Sequence, residues 1–416
     1  MKASNPVPIL AIIAPGILLA ATGVGAGDLA TASFAGSQLG VAILWAVVIG
    51  GLLKFVVTEG LVRWQLVTGQ TFLEGVATRF GAVIGWLFLP YLLLWSFFVG
   101  SALMSACGVA LHALIPVFDE AQTAKVVFGV LSGIAGLILV SYGGFRLFEK
   151  VMSVCIGLMF ITVIITAVLL WPDTSTVLKG LLVPTIPEVE TDGITWTVAL
   201  IGGVGGTLTM LCYGYWIKEK QREDVSFLKI CRIDLGVGYF MTVLFGLAMV
   251  IIGSSVSIEG KGAGLLVTLS NQLETVLGPV GAWVFLLGAL GAVFSSLLGV
   301  WQAVPYLFAD FWGLFFSKQK RDQLAAGEDL SQSRPYKVYL WGIAIIPMLG
   351  LLVSFKEMQK LYAVVGAAFI PLVAIALLIM NGRAAWVGDH RNSWLVSAAL
   401  LAVVAFFGSM AFMKWF

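Results

Sequence analysis

Residues 22–28 read Thr-Gly-Val-Gly-Ala-Gly-Asp, and residues 201–210 read Ile-Gly-Gly-Val-Gly-Gly-Thr-Leu-Thr-Met. Each stretch lies in the middle of a long apolar run. Glycine costs about 1 kcal/mol relative to alanine inside a helix, so each cluster predicts a discontinuous helix. Asp28 closes the first cluster, and a carboxylate at mid-membrane depth is costly and marks a functional place. Irregular backbone within a bilayer survives only where it lines a cavity or is buried in protein. The alternative for either cluster alone is a small-residue seam for close helix packing. Their matched positions, five apolar runs apart, point instead to two inverted five-helix repeats whose broken first helices frame a central site. Gly23-x-Gly25-x-Gly27 lacks the Gly-Lys-Ser/Thr ending of a phosphate loop, which argues against nucleotide binding.

The composition around these stretches demands a membrane. The chain has 416 residues, 60% hydrophobic and 11% charged, with a mean hydropathy of +1.01. Soluble domains carry about 25% charged residues, and no soluble fold hides this much apolar surface. A cytosolic enzyme, a disulfide-rich secreted domain and a disordered chain are excluded. The net charge is only +2, with no basic block to track phosphates, so no nucleic acid partner is expected. Cys107, Cys155, Cys212 and Cys231 form no CxxC, and His112 and His390 are the only histidines. Disulfide, structural zinc, haem and histidine relay therefore lack material.

A helix needs about 20 apolar residues to cross the bilayer core. Eleven stretches qualify: 9–38, 41–66, 82–113, 124–143, 150–171, 194–217, 233–255, 279–312, 336–354, 360–380 and 393–414. The first is expected to be a retained span and not a cleaved leader. Connectors are too short for a second domain, so 1–416 is expected to form one transmembrane domain. With the N-terminus inside, sixteen Lys and Arg fall on the cytoplasmic side and six outside. The inner set includes Lys218, Lys220, Arg222, Lys229 and Arg232, and a second group of Lys318, Lys320, Arg321, Arg334 and Lys337. That bias predicts an inner-membrane protein with a cytoplasmic N-terminus and an outer C-terminus.

Around the predicted breaks, Asp28, the Gly25 and Gly206 carbonyls and the hydroxyls of Thr22, Thr207 and Thr209 make an oxygen-rich donor set. Such a set suits hard cations of the magnesium and manganese kind. Lys54, Glu59 and Arg63 stand within the second span. Glu59 and Arg63 are spaced to pair along one helix face. A pairing of Lys54 with Asp28 would leave the site nearly neutral, favouring a small polar organic solute or a proton passing between Asp28 and Glu59. Alternatively, Lys54 snorkels along an outer surface. Tyr213, Tyr215, Trp216, Trp301, Gln302 and Tyr306 either pack the protein or line a pocket wider than a metal ion needs. Ser295 and Ser296 are candidate hydroxyls for a coupling ion, or bond their own backbone. Asp310 is expected at the inner end of the eighth span, paired with a basic loop residue.

Pro15-Gly16, Gly25-Ala26-Gly27-Asp28-Leu29-Ala30-Thr31 and Ala35-Gly36-Ser37-Gln38-Leu39-Gly40 together resemble the first helix of the Nramp family of divalent-metal transporters. Thr68-Gly69-Gln70-Thr71-Phe72-Leu73-Glu74 resembles that family's Thr-Gly-x-x-Leu-x-Glu after helix 2. The resemblance implies a LeuT-type fold and proton-coupled metal transport. The departures are specific. The family's metal-binding aspartate falls on Gly25, its proline on Ala26 and its asparagine on Asp28. Its Met-Pro-His of helix 6 falls on Thr209, Met210 and Leu211, and its acidic pair of helix 3 is missing from 82–113. The chain thus resembles a divergent branch rather than a typical manganese or iron importer.

The expectation is an all-α polytopic membrane protein. It comprises repeat one (about 9–171), repeat two (about 194–380) and an extra helix (about 393–414), with helices 1 and 6 discontinuous. Function is expected to be proton-coupled transport of a divalent cation by alternating access, hard ions preferred, without ATP, cofactor or enzymatic activity, in a monomer. The alternative is a related transporter of a small polar organic solute that carries no transition metal. Substrate binding is assigned to Asp28, Gly25, Thr22, Gly206, Thr207, Thr209, Met210 and Tyr213, with Asp28, Thr209 and Met210 as metal ligands. Charge or proton coupling is assigned to Asp28, Lys54, Glu59 and Arg63. A channel would show repeated polar rings along a pore, and an enzyme would show paired catalytic groups; the sequence has neither.

Overall fold

The computed structural model describes residues 9–256, 260–316 and 330–415, without the side chains of several stretches inside helices, among them 9–14 and 143–156. Lys318, Lys320, Arg321 and the Cys155 side chain, and with them the second basic group in part, lie outside the described residues. All regular structure among the described residues is helical.

α1 (Ile9–Gly23) runs into a π-helical segment, Val24–Thr31, and then α2 (Ala32–Leu39). Gly40 (φ 63°) turns the chain, and a 3-10 turn leads into α3 (Leu44–Thr68). Gly69 ends α3 in the left-handed conformation (φ 71°), as helix C-caps favour. Thr71 then opens α4 (Phe72–Phe80) with a capping box. Its hydroxyl accepts from Glu74 N–H at 3.2 Å, and Glu74 Oε2 accepts from Thr71 N–H at 2.6 Å. The Thr68–Glu74 motif is thus a stop signal followed by a start signal.

α5 (Ala82–Leu114) and α6 (Ala121–Leu169) pack on one another. α6 is one continuous helix, so residues 144–149, expected to connect the fourth and fifth spans, are helical instead. Nothing in Arg146-Leu147-Phe148-Glu149-Lys150 breaks a helix. α7 (Thr174–Leu182) lies within the expected loop 172–193. Its cap is Asp173, whose carboxyl is held below the usual carboxylate range by hydrogen bonds from Ser175 and Thr176.

α8 (Gly193–Gly203) and α9 (Tyr213–Glu219) flank the second glycine cluster. α10 (Leu228–Ser254) packs against α1, α2 and α3. α11 (Leu265–Phe316) is divided at Gly278 (φ 71°), just before Pro279, and it packs against α5 and α6. α12 (Arg334–Ile345), α13 (Phe355–Ala367), α14 (Phe369–Met380) and α15 (Trp394–Trp415) complete the chain. Among the described residues, nine segments are long and apolar enough to span a bilayer. The end of the first expected span (27–38) and all of the second fall within Gly27–Thr68, and Phe160–Leu169 is a shorter apolar helix. Large apolar side chains such as Leu87, Val280, Leu349 and Trp394 face outward, where lipid tails cover them. The protein is therefore an integral membrane protein.

Candidate functional site

The second glycine cluster is a true break. Gly205 (φ 76°) and Gly206 (φ 69°) occupy the left-handed region, open to glycine at no steric cost. They separate α8 from a 3-10 turn, Leu208–Cys212, that leads into α9.

The first cluster is not unwound, which corrects the expectation of a broken helix 1. The chain remains helical and widens into a π segment over Val24–Thr31, a distortion found often at functional sites. Its glycines serve contact. A Cβ on Gly23 would stand 2.7 Å from the Gly205 carbonyl carbon and from Gly206 N, and one on Gly27 would meet Gly203 O. The first segment is thus pressed backbone to backbone against the break, where a side chain would not fit.

A break leaves main-chain groups without helical partners, and buried ones must find others. Two charged side chains supply them. Asp28 Oδ1 accepts from Gly205 N–H at 2.9 Å. Lys54 Nζ, arriving from α3, donates to Gly202 O at 2.7 Å and to Val204 O. Both side chains are at 0% exposure. They sit at one break without forming an ion pair with each other among the described residues. Lys54 therefore does not snorkel.

Two buried oxygens at this place have no hydrogen-bond partner among the described residues: Asp28 Oδ2 and Thr209 Oγ1. Thr209 Oγ1 lies against Gly206. The other assigned side chains are committed elsewhere. Thr22 Oγ1 donates to Leu19 O within its own helix (2.9 Å). Thr207 Oγ1 accepts from Trp95 Nε1 (2.9 Å). Gly25 N–H donates to Ser296 Oγ (2.8 Å), while Ser295 bonds Ala292 O in its own helix (2.8 Å). Met210 is packed in the apolar core at 1% exposure. Among the described residues no group of three or more His, Cys, Asp or Glu side chains gathers to hold a metal.

Tyr213, Glu59 and Arg63 belong to side-chain clusters of their own. Asp234 on α10 accepts from Gly16 N–H (2.7 Å), Tyr213 OH (2.6 Å) and Arg222 (3.2 Å). That one carboxylate ties α1, α9 and the loop after α9 to α10. Glu59 pairs with Arg63 (3.2 Å), as the spacing predicts, and also with Arg232 (2.7 Å). Arg63 reaches His390 O (2.7 Å) and Asn392 Oδ1 (2.8 Å). Asp310 forms no ion pair among the described residues; Tyr215 OH (2.7 Å) and Thr71 Oγ1 (3.1 Å) donate to it instead. Trp216 Nε1 donates to Gln302 (3.2 Å), and Trp216 and Trp301 are buried. Sequence reasoning missed Trp95 and Asp234. Trp95 stands in an unpatterned apolar run, whereas Asp234, a lone acid at the start of a span, carried a readable signal.

Comparison with known proteins agrees with this architecture. Residues 16–414 match the family model described as natural resistance-associated macrophage protein-like (Nramp). A divalent metal cation transporter MntH of Chromohalobacter salexigens is 27% identical over 303 residues, covering 69% of this chain and 67% of the relative. One from Aeromonas hydrophila is 23% identical over 425 residues, covering 95% and 93%. Among solved structures, the Eremococcus coleocola manganese transporter in complex with an aromatic bis-isothiourea substituted compound superposes with a TM-score of 0.71 at 17% identity, covering 99% of this chain and 88% of that one. MhsT in complex with L-phenylalanine superposes with a TM-score of 0.62 at 14% identity, covering 100% and 99%. These likenesses establish a LeuT-type fold.

Proposed function

The chain belongs to the Nramp family, and from that premise we propose that it is a secondary active transporter moving a divalent metal cation by alternating access. The reading includes proton coupling and a preference for hard ions of the magnesium and manganese kind. The observation that carries it is Asp28 Oδ2: a carboxylate oxygen at 0% exposure, without a donor among the described residues, beside the break between α8 and α9. A charged oxygen buried without a partner costs several kcal/mol. A cation arriving there recovers that cost. Thr209 Oγ1 is a second free oxygen on the same break, and an oxygen set suits hard ions. Met210, packed in the core, gives no support to a soft-ion site.

Uptake of Mn2+ and Mg2+ into proteoliposomes, with and without an imposed pH gradient, tests the proposal. Asp28→Asn keeps an oxygen to accept from Gly205 N–H and removes the charge. It is expected to lower uptake by about 100-fold, the scale of a lost ~3 kcal/mol interaction with a charged group. Wild-type uptake by that variant would sink the reading.

One observation favours the second reading, a small polar organic solute. Lys54 places a positive charge on the same break as Asp28, so the pair is nearly neutral and a zwitterion loses little on entering. Solute uptake without metal uptake by the wild type would select it.

A further inference from the structure

In a continuous helix Gly206 N–H would serve Gly202 O. Here it bonds Gly203 O instead, at 3.3 Å, and the freed Gly202 carbonyl turns to Lys54, 2.7 Å away. Val204 O, at the C-cap of α8, turns to the same ammonium. Unwound carbonyls of this kind hold inorganic cations in transporters with discontinuous helices. In this chain the two carbonyls are already in contact with a cation, one fixed to α3 by its own side chain. Lys54 is at 0% exposure. Among the described residues Asp28 is the other charged group placed on the break; its Oδ1 is taken by Gly205 N–H and its Oδ2 has no partner. Glu59 and Arg63, further along α3, are engaged with each other, Arg232 and Asn392.

We propose that the Lys54 ammonium is a tethered cation filling the carbonyl cradle of the break between α8 and α9, which bars inorganic monovalent ions from it and confines the substrate to the Asp28 side. Lys54 is then a specificity-determining residue: the protein takes up no sodium at this cradle because it supplies the charge itself. This rests on the reading of the break as the substrate site.

Lys54→Met is the direct test. Methionine keeps an unbranched chain but no charge, leaving Gly202 O and Val204 O without a donor and Asp28 without a counter-charge. Purified full-length protein in nanodiscs is titrated with NaCl against choline chloride by calorimetry, with the thermal midpoint followed in parallel. Lys54→Met is expected to gain saturable sodium binding in the millimolar range and a midpoint that rises by several degrees with sodium. Wild type and Lys54→Arg are expected to show neither. A sodium response in the wild type overturns the proposal, as does a folded Lys54→Met with no sodium response. If Lys54→Met does not fold, the wild type and Lys54→Arg decide: sodium sensitivity in either overturns it, and insensitivity in both supports it. Parallel Mn2+ and Mg2+ titrations separate the two claims. Metal binding by the wild type with no sodium site in Lys54→Met removes the Lys54 proposal alone. A sodium site in Lys54→Met with no metal binding by the wild type removes the metal reading alone.

Discussion

A methyl group on Gly27 would meet the carbonyl oxygen of Gly203, whereas one on Gly236 would meet nothing within 4 Å. Overpacking a close contact costs about 1–3 kcal/mol, while adding a methyl in open helix is neutral or gains up to about 1 kcal/mol. Gly27→Ala is therefore expected to lower the thermal midpoint measurably, and Gly236→Ala to leave it unchanged or raise it. Equal effects from the two would show that the first segment does not rest on the break. At this scale the sequence is readable where chemistry and depth conflict: Asp28 and Lys54 both announce themselves as charges in apolar runs. Their partners are not readable. The groups they satisfy are main-chain atoms 177 and 148 residues away, respectively, and a backbone carbonyl has no sequence signature.

The two glycine clusters look alike in sequence and differ as elements. Four glycines in 202–206 give two consecutive left-handed residues and a break. The alternating glycines 23, 25 and 27 give a π segment that stays helical. Alternation leaves every second residue with a Cβ that favours the helix, and Gly23 and Gly27 remove side chains where another backbone approaches, Gly25 one where the Ser296 side chain does. The packing alternative thus describes the first cluster, and a break buried in protein the second. The same scale holds the Asp234 latch, where α1, α9 and α10 meet on one carboxylate. Asp234→Ala takes this partner from Arg222 and frees the Gly16 N–H. Hydrogen bonds to charged groups contribute about 1.5–3 kcal/mol, so opening is expected to become about tenfold or more frequent. Cys212 and Cys231 are free and buried nearby. Their alkylation by a maleimide should accelerate by that factor, and an unchanged rate would show that the latch holds nothing shut.

Across the whole molecule, an outward lipid-facing apolar surface follows from composition, because the hydropathy leaves no other solvent. Span limits are less legible. Residues 144–149 continue a helix and loop 172–193 contains one, since short amphipathic helices at an interface carry no long apolar run. The division into inverted repeats, 9–171 and 194–380, remains a proposal, as does the orientation drawn from Lys and Arg. Tags settle the latter. An epitope after Phe416 is expected to be reached from outside intact cells, and one placed between Lys220 and Asp224 only after permeabilisation. The reverse pattern would invert the topology.

In the proposed function Asp28 keeps one carboxylate oxygen free at the break between α8 and α9 to receive a cation. Calorimetric titration of Mn2+ and Mg2+ into purified wild type and Asp28→Asn tests this. Saturable heat in the wild type, weakened by about 100-fold in the variant, is the predicted result. Equal binding by both proteins would contradict it.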